Sequence, residues 1–227
     1  MNKAIFWDFD GTLVYSYRIW QDALLTAITK FGYEVEIGKI KHHLSSKVKR
    51  FSWHNPDDAY VDALGEKWWR KLFESLNSFY DEFSIKERNS VNSYFKEKII
   101  NYENYKLYEN AKMVLQECTD MGYKNYILSN NYPELPSVIE ELGIGTAFID
   151  IFVSANIGYE KPNAAFFQHA LKVTGFPDVS YMIGDNPIAD IQGGKSAGMK
   201  TILVHNDDSS DADYMCKNLS EIPGLLD

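Results

Sequence analysis

Residues Ala4 to Leu13 read AIFWDFDGTL, an apolar run that ends in two aspartates one residue apart and then a Gly turn. A short apolar run bounded by Gly predicts a strand covered on both faces, as at the centre of a parallel sheet. Ionised carboxylates do not belong in such an interior. Asp8 and Asp10 are therefore expected at the strand's carboxyl end, over the crevice where open α/β folds bind their ligands, with strand alternation sending both side chains to the same side.

The rest of the chain supplies the sheet that this strand needs. From about Arg18 to Tyr105 the apolar residues recur at helical spacing, as in Trp20, Leu24, Ala27, Ile28 and Phe31, and again in Val61, Leu64, Trp68, Leu72, Leu76 and Phe79. Beyond that block the pattern changes. A helical stretch from Asn110 to Asp120 leads into KNYILSNN (Lys124 to Asn131), and DIFVSA (Asp150 to Ala155), SYMIGDN (Ser180 to Asn186) and KTILVHN (Lys200 to Asn206) follow as strand candidates. Helical stretches such as Asn163 to Thr174 separate them. Strands alternating with helices predict a parallel sheet covered on both faces, with residues 16–105 inserted as a helical block into a core made of 1–15 and 106–227.

A chain of 227 residues, 45% hydrophobic, can bury a sizeable core without metals or disulfides. Cys118 and Cys216 match no metal-ligand spacing and read as reduced, partly buried thiols. No apolar stretch approaches bilayer length and the first residues lead straight into a strand, so the protein is expected to be soluble and cytoplasmic, with no membrane partner. A formal charge of -9 argues against a nucleic-acid polymer as partner, because that binding rests on Lys and Arg neutralising phosphates.

Polar groups cluster at the predicted strand ends. Ser129 and Asn130 offer a hydroxyl and amides that can hold a phosphate oxygen, although Ser-Asn-Asn is also ordinary turn chemistry. Lys161 precedes Pro162, where a helix is expected to begin. GDNPIAD gives Asp185 and Asp190, with Asp185 directly after Tyr181-Met182-Ile183, much as Asp8 follows its own apolar run. A parallel sheet brings these ends to one edge. Converging carboxylates repel unless a cation lies among them, and an all-oxygen site suits Mg²⁺. With a Lys and an amide cluster beside it, the group to be bound is expected to be a phosphate.

Other features read as structural. GGKSAG (Gly193 to Gly198) fails as a phosphate-binding P-loop, because Ala189 stands where the leading Gly is required and the segment precedes a strand. KIKHHLSSKVKR (Lys39 to Arg50) is expected to be a solvated helix face, the alternative being a basic patch that attracts an anionic substrate. His42, His43 and His54 share no ligand spacing, and Trp68-Trp69 suits a small core of the helical block.

Taken together, DFDGTL (Asp8 to Leu13), Ser129 with Asn130, Lys161, and GDNPIAD (Gly184 to Asp190) resemble, in order, the four motifs of the haloacid dehalogenase (HAD) superfamily. The resemblance implies a Rossmann-like α/β core with an inserted all-helical cap domain of the C1 kind. It also implies a phosphatase in which Asp8 is the nucleophile and forms an aspartyl-phosphate, Asp10 is the acid and base, and Lys161 offsets charge. Ser129 and Asn130 would hold the phosphate, and Asp8, the Asp10 main-chain carbonyl and Asp185 would hold Mg²⁺, with Asp190 orienting the surroundings. Dehalogenases and phosphonatases of the superfamily lack the second aspartate of the first motif, so Asp10 argues against both. The expected activity is Mg²⁺-dependent hydrolysis of a small phosphorylated metabolite. The alternatives are a phosphomutase of the β-phosphoglucomutase type and a non-catalytic phosphate-binding module.

Overall fold

The computed structural model describes residues 1–15, 18–47, 64–77, 80, 82–207 and 210–227. The chain starts with β1 (Lys3–Trp7) and β2 (Val14–Tyr15), then runs through α1 (Ile19–Lys30), α2 (Ile37–Lys47), α3 (Glu66–Leu76) and α4 (Ile85–Ile100). Then come β3 (Lys106–Leu107), α5 (Ala111–Asp120), β4 (Tyr123–Ser129), α6 (Leu135–Glu141), β5 (Asp150–Val153), α7 (Ser154–Ile157) and α8 (Ala164–Val173). β6 (Val179–Gly184), a π-helical turn (Pro187–Gln192), α9 (Gly193–Ser196), β7 (Lys200–Val204) and β8 (Tyr214–Cys216) complete the core.

Six strands pair in parallel in the order β5-β4-β1-β6-β7-β8. β1 is central, pairing Trp7 with Ile127 on one side and Ile183 on the other. The chain builds outward from β1 through β4 to β5 on one side and then crosses to β6, β7 and β8 on the other. This reversal of strand order opens a crevice at the carboxyl end of β1. Period-two alternation assigns the faces. Ile5 and Trp7 join one apolar cluster with Ile127, Ile183 and Ile202, while Ala4 and Phe6 join another with Leu128, Phe167 and Met182. Fully burying each such large side chain contributes about 1.5–3 kcal/mol. The first cluster continues into the inserted helices through Leu24, Ile28, Trp69, Leu72 and Phe95. Asn125, buried beneath it, accepts from Trp7 Nε1 at 2.9 Å and donates to the Leu115 carbonyl at 3.0 Å, so α5 is fixed to the sheet without an unmet polar group.

Several expectations are refined. The first strand stops at Trp7, and Asp8 to Gly11 enter a turn in which Leu13 N and Val14 N both donate to the Phe9 carbonyl. Strand alternation therefore does not extend as far as Asp10. The second strand ends at Ser129 rather than Asn131, and DIFVSA divides into β5 and the short α7. The helix expected at Pro162 begins at Ala164, because the Asn163 side chain accepts from Ala165 N at 2.9 Å and caps it there. The Lys161–Pro162 peptide is cis. β2, β3 and β8 were not expected; β2 and β3 pair antiparallel, Tyr15 opposite Lys106.

In the helical block Trp69 is buried and Trp68 only partly so, the reverse of the residue picked out by helical spacing. Lys39, Lys41 and His42 are exposed on α2, while Ile40 and Leu44 are buried and His43 lies against Ser75. The remainder of the basic run, together with His54, Val61 and Phe79, lies outside the residues whose side chains are described. Gly193 and Gly194 pack where a Cβ would meet Phe167 and Met182, so their place in GGKSAG is steric. Cys118 and Cys216 are buried free thiols. Among the described residues, no helix is long and apolar enough to cross a membrane.

Candidate active site

β1 delivers Asp8 to the crevice, and its main-chain N–H still donates to the Ile183 carbonyl of β6 at 2.8 Å. Lys161 arrives from the segment between α7 and α8 and is 3% exposed. Its Nζ lies 2.8 Å from Asp8 Oδ1 and 2.6 Å from Asp190 Oδ1. Burial alone would pull the ammonium's pKa down, but the carboxylates of Asp190 and Asp8 outweigh it and hold the group above the ordinary lysine value. Lys161 is therefore a charged lysine inside the protein.

Asp190 sits in the π-helical turn and is 0% exposed. Its second oxygen accepts from Asn186 N at 3.0 Å, so both oxygens are engaged within the protein. Burial pushes its pKa up and the charge of Lys161 pulls it back. The turn itself is set by Asn186, whose side chain accepts from Ile188 N and Ala189 N at 3.0 and 2.9 Å. Asp190 thus holds Lys161 rather than facing outward.

Asp185 follows β6. Asp8, Asp185 and Asp190 each offer an oxygen within 4.8 Å of the others. Three carboxylates share one ammonium there, and Asp185 is pushed up to about 7, first by burial and then by the charges of Asp8 and Asp190. A cluster of hard oxygen donors short of positive charge fits a divalent cation such as Mg²⁺. The approach depends on Gly11, at φ +81°, where a Cβ would overlap the Asp185 carboxylate.

Asp10 is held by a different partner. Its Oδ2 accepts from Asn131 Nδ2 at 2.6 Å. Ser129 is buried at the end of β4, in the strand beside β1. Asn130 places its side chain on the Lys161 main chain, donating to the carbonyl at 2.8 Å and accepting from the N–H at 2.7 Å. The structure therefore brings Asp8, Lys161, Asp185 and Asp190 into one cluster, with Asn130 clasping the lysine from behind. Sequence reasoning passed over Asn131 as part of a Ser-Asn-Asn turn; its position two residues beyond a polar strand end was the only available signal.

Glu134, in the loop after β4, links the core to the inserted helices. Its carboxylate accepts from Trp69 Nε1 of α3 at 2.7 Å and pairs with Lys96 Nζ of α4 at 2.7 Å. Tyr132 lies in the same loop, and its hydroxyl is 2.8 Å from that of Tyr105.

The chain is similar to known proteins in sequence and in fold. The sequence profile of the haloacid dehalogenase-like hydrolases matches residues 2–198. Human haloacid dehalogenase-like hydrolase domain-containing protein 3 is 24% identical over 207 residues, which are 89% of this chain and 81% of that protein. The phosphoserine phosphatase of Thermus thermophilus is 27% identical over 223 residues, covering 89% of this chain and 88% of its own. Among solved structures, the HAD-hydrolase YfnB of Bacillus subtilis, determined bound to magnesium, superposes with a TM-score of 0.78 over 99% of this chain and 98% of that one, at 18% identity. With its parallel sheet, inserted helices and motif residues in order, the chain belongs to the haloacid dehalogenase-like hydrolases.

Proposed function

We propose that this protein is a Mg²⁺-dependent phosphomonoester hydrolase that acts on a small phosphorylated metabolite through an aspartyl-phosphate. The observation that carries the reading is the lysine buried between Asp8 and Asp190, which leaves a nucleophilic carboxylate at the sheet's central crevice with a fixed positive charge beside it. Residues 1–15 and 106–227 form the catalytic core in this reading, and residues 16–105 form the cap that selects the substrate. The naming of the Thermus relative as a phosphoserine phosphatase supports a small phosphorylated substrate here as well.

In the first step an Asp8 oxygen attacks phosphorus, the new P–O bond forms, and the bond to the leaving oxygen breaks. Asp10 supplies the proton that the leaving oxygen takes up. In the second step water attacks the same phosphorus and gives its proton to Asp10, and the bond to Asp8 breaks. Lys161 balances charge on Asp8 and on the phosphoryl oxygens throughout, and Asp190 keeps the lysine in place. Ser129 and the Asn130 main-chain amide hold a phosphoryl oxygen, the Asn130 side chain being committed to Lys161. Asp8, the Asp10 main-chain carbonyl and Asp185 would hold Mg²⁺, which when bound supplies positive charge against the phosphoryl oxygens.

Release of inorganic phosphate from p-nitrophenyl phosphate and from a panel of phosphorylated metabolites tests the reading, with and without Mg²⁺ and with Asp8→Asn. Mg²⁺-dependent release that the variant lacks is expected. Equal rates in wild type and variant would overturn it, and isomerisation of a sugar phosphate without phosphate release would replace hydrolysis by phosphoryl transfer within the substrate.

A further inference from the structure

We infer that Asn131 is a positioning residue for Asp10, fixing the orientation of the aspartate's carboxyl group through a hydrogen bond to its Oδ2. The inference rests on the acid role proposed for Asp10 and adds a residue to it.

The contact is short and its polarity is determined. Asn131 Nδ2 lies 2.6 Å from Asp10 Oδ2. An asparagine amide can be read in either of two orientations unless its neighbours decide. Here they do: Asn131 Oδ1 accepts from Tyr132 N at 3.0 Å, and the flipped amide would set its NH₂ against that N–H. The group facing Asp10 is therefore a donor. The Asn131 amide thus holds Asp10 by Oδ2, and Oδ1 is itself buried, so the carboxyl group is kept in one orientation.

Asn131 is itself held rigidly enough for this task. It is 5% exposed, its main-chain N–H donates to Ser154 Oγ at 3.0 Å, and that hydroxyl lies 3.3 Å from the Asn131 carbonyl. Ser154 comes from the start of α7, at the end of the neighbouring strand β5. Asp10 lies in a turn rather than a strand ladder, and the Asn131 amide, anchored through its own side chain and main chain, gives its carboxyl group a fixed point. Proton transfer to a leaving oxygen demands this kind of alignment. The adjacent Asn130 grips the Lys161 main chain, so two successive asparagines position two different members of the site.

Leaving-group dependence tests the inference, because a poor leaving oxygen needs the proton and a good one does not. The measured quantity is kcat/KM for p-nitrophenyl phosphate and for an alkyl phosphate such as glycerol phosphate, in wild type, Asp10→Asn, Asn131→Ala and Asn131→Asp. Asn131→Asp keeps an acceptor for Tyr132 N and replaces the donor with a second carboxylate oxygen facing Asp10. Both Asn131 variants are expected to lose about 100-fold on the alkyl phosphate and less than about fivefold on p-nitrophenyl phosphate, the lower end of what general acid catalysis is worth. Asp10→Asn should show the same skew more strongly. If Asp10→Asn is skewed while the Asn131 variants lose activity equally on both substrates, or lose none, Asn131 does not position Asp10. If Asp10→Asn itself shows no skew, the acid role of Asp10 fails and the inference with it. Should the Asn131 variants not fold, Ser154→Ala carries the test: it leaves the Asn131 amide in place and removes its anchor, and the same skew, reduced, is expected, its absence overturning the inference.

Discussion

Lys161 reaches Asp8 at 2.8 Å as a buried ion pair, and the same ammonium is held from its other side by Asp190. The ammonium is buried and Asp8 keeps only a small exposed edge at the crevice, so the charges act on each other at a dielectric below that of water. Removing one partner leaves an uncompensated buried charge. Lys161→Met is therefore expected to lower the unfolding free energy by about 3–5 kcal/mol and to reduce turnover by 10²-fold or more, on the order of losing one preorganised electrostatic contact. Urea denaturation and steady-state kinetics on the one variant check both.

Gly11 and Gly198 have nearly the same backbone angle, φ +81° and +82°, but different surroundings. A Cβ at Gly11 meets the Asp185 carboxylate, whereas one at Gly198 meets nothing within 4 Å. Both alanine variants carry a left-handed backbone penalty of about 1–2 kcal/mol. Only Gly11→Ala should also weaken Mg²⁺ binding, by tenfold or more in calorimetric titration, with Gly198→Ala at the wild-type value.

Glu134 joins the core to two inserted helices through Trp69 and Lys96. The contact is partly exposed, so its contribution to global stability is small, about 0.5–1 kcal/mol. In the proposed reading, where the inserted helices select the substrate, the contact orients two of them. Glu134→Ala should leave the denaturation midpoint nearly unchanged while raising KM several-fold and altering tryptophan fluorescence.

Asp213 accepts from Thr201 N at 2.8 Å and from Thr201 Oγ1 at 2.9 Å. Burial would raise its pKa, but these two bonds and the charge of Lys195 outweigh it and hold the carboxyl below the ordinary 3.8. A folded-state value below the unfolded one means that the stabilisation is complete above about 3.8 and is lost as pH falls through the folded value. Asp213→Asn should cost about 1 kcal/mol at pH 7, and the gap to wild type should close as the pH drops below 3.8. Denaturant titrations across that range measure it.

The sequence was most legible where local pattern and tertiary role coincide. Trp7 and Ile183 lie in apolar runs whose only sensible place is a covered sheet, and the acids that follow them, Asp8 and Asp185, had to emerge at its edge. Lys161 was found as a residue, but its double pairing was not, because nothing local to YEKPN announces Asp190. β2, β3 and β8 are two or three residues long, too short for periodicity to register, and exist through their partners. Asn131 was hidden for a related reason: an asparagine in a turn satisfies local chemistry whether or not it touches Asp10, 121 positions away. Trp69 rather than Trp68 is the buried indole, packed against Trp20, Phe73 and Tyr132 with its N–H on Glu134, contacts that helical spacing cannot supply.

The central claim is that Asp8 carries the phosphoryl group during turnover. Acyl phosphates are reduced by borohydride to the alcohol, so quenching the enzyme during turnover of p-nitrophenyl phosphate with Mg²⁺, reducing it, and sequencing the peptides by mass spectrometry reads the site directly. Homoserine at position 8, absent without substrate and absent in Asp8→Asn, is the predicted result. Homoserine at another aspartate, or undiminished turnover by Asp8→Asn, would contradict the account.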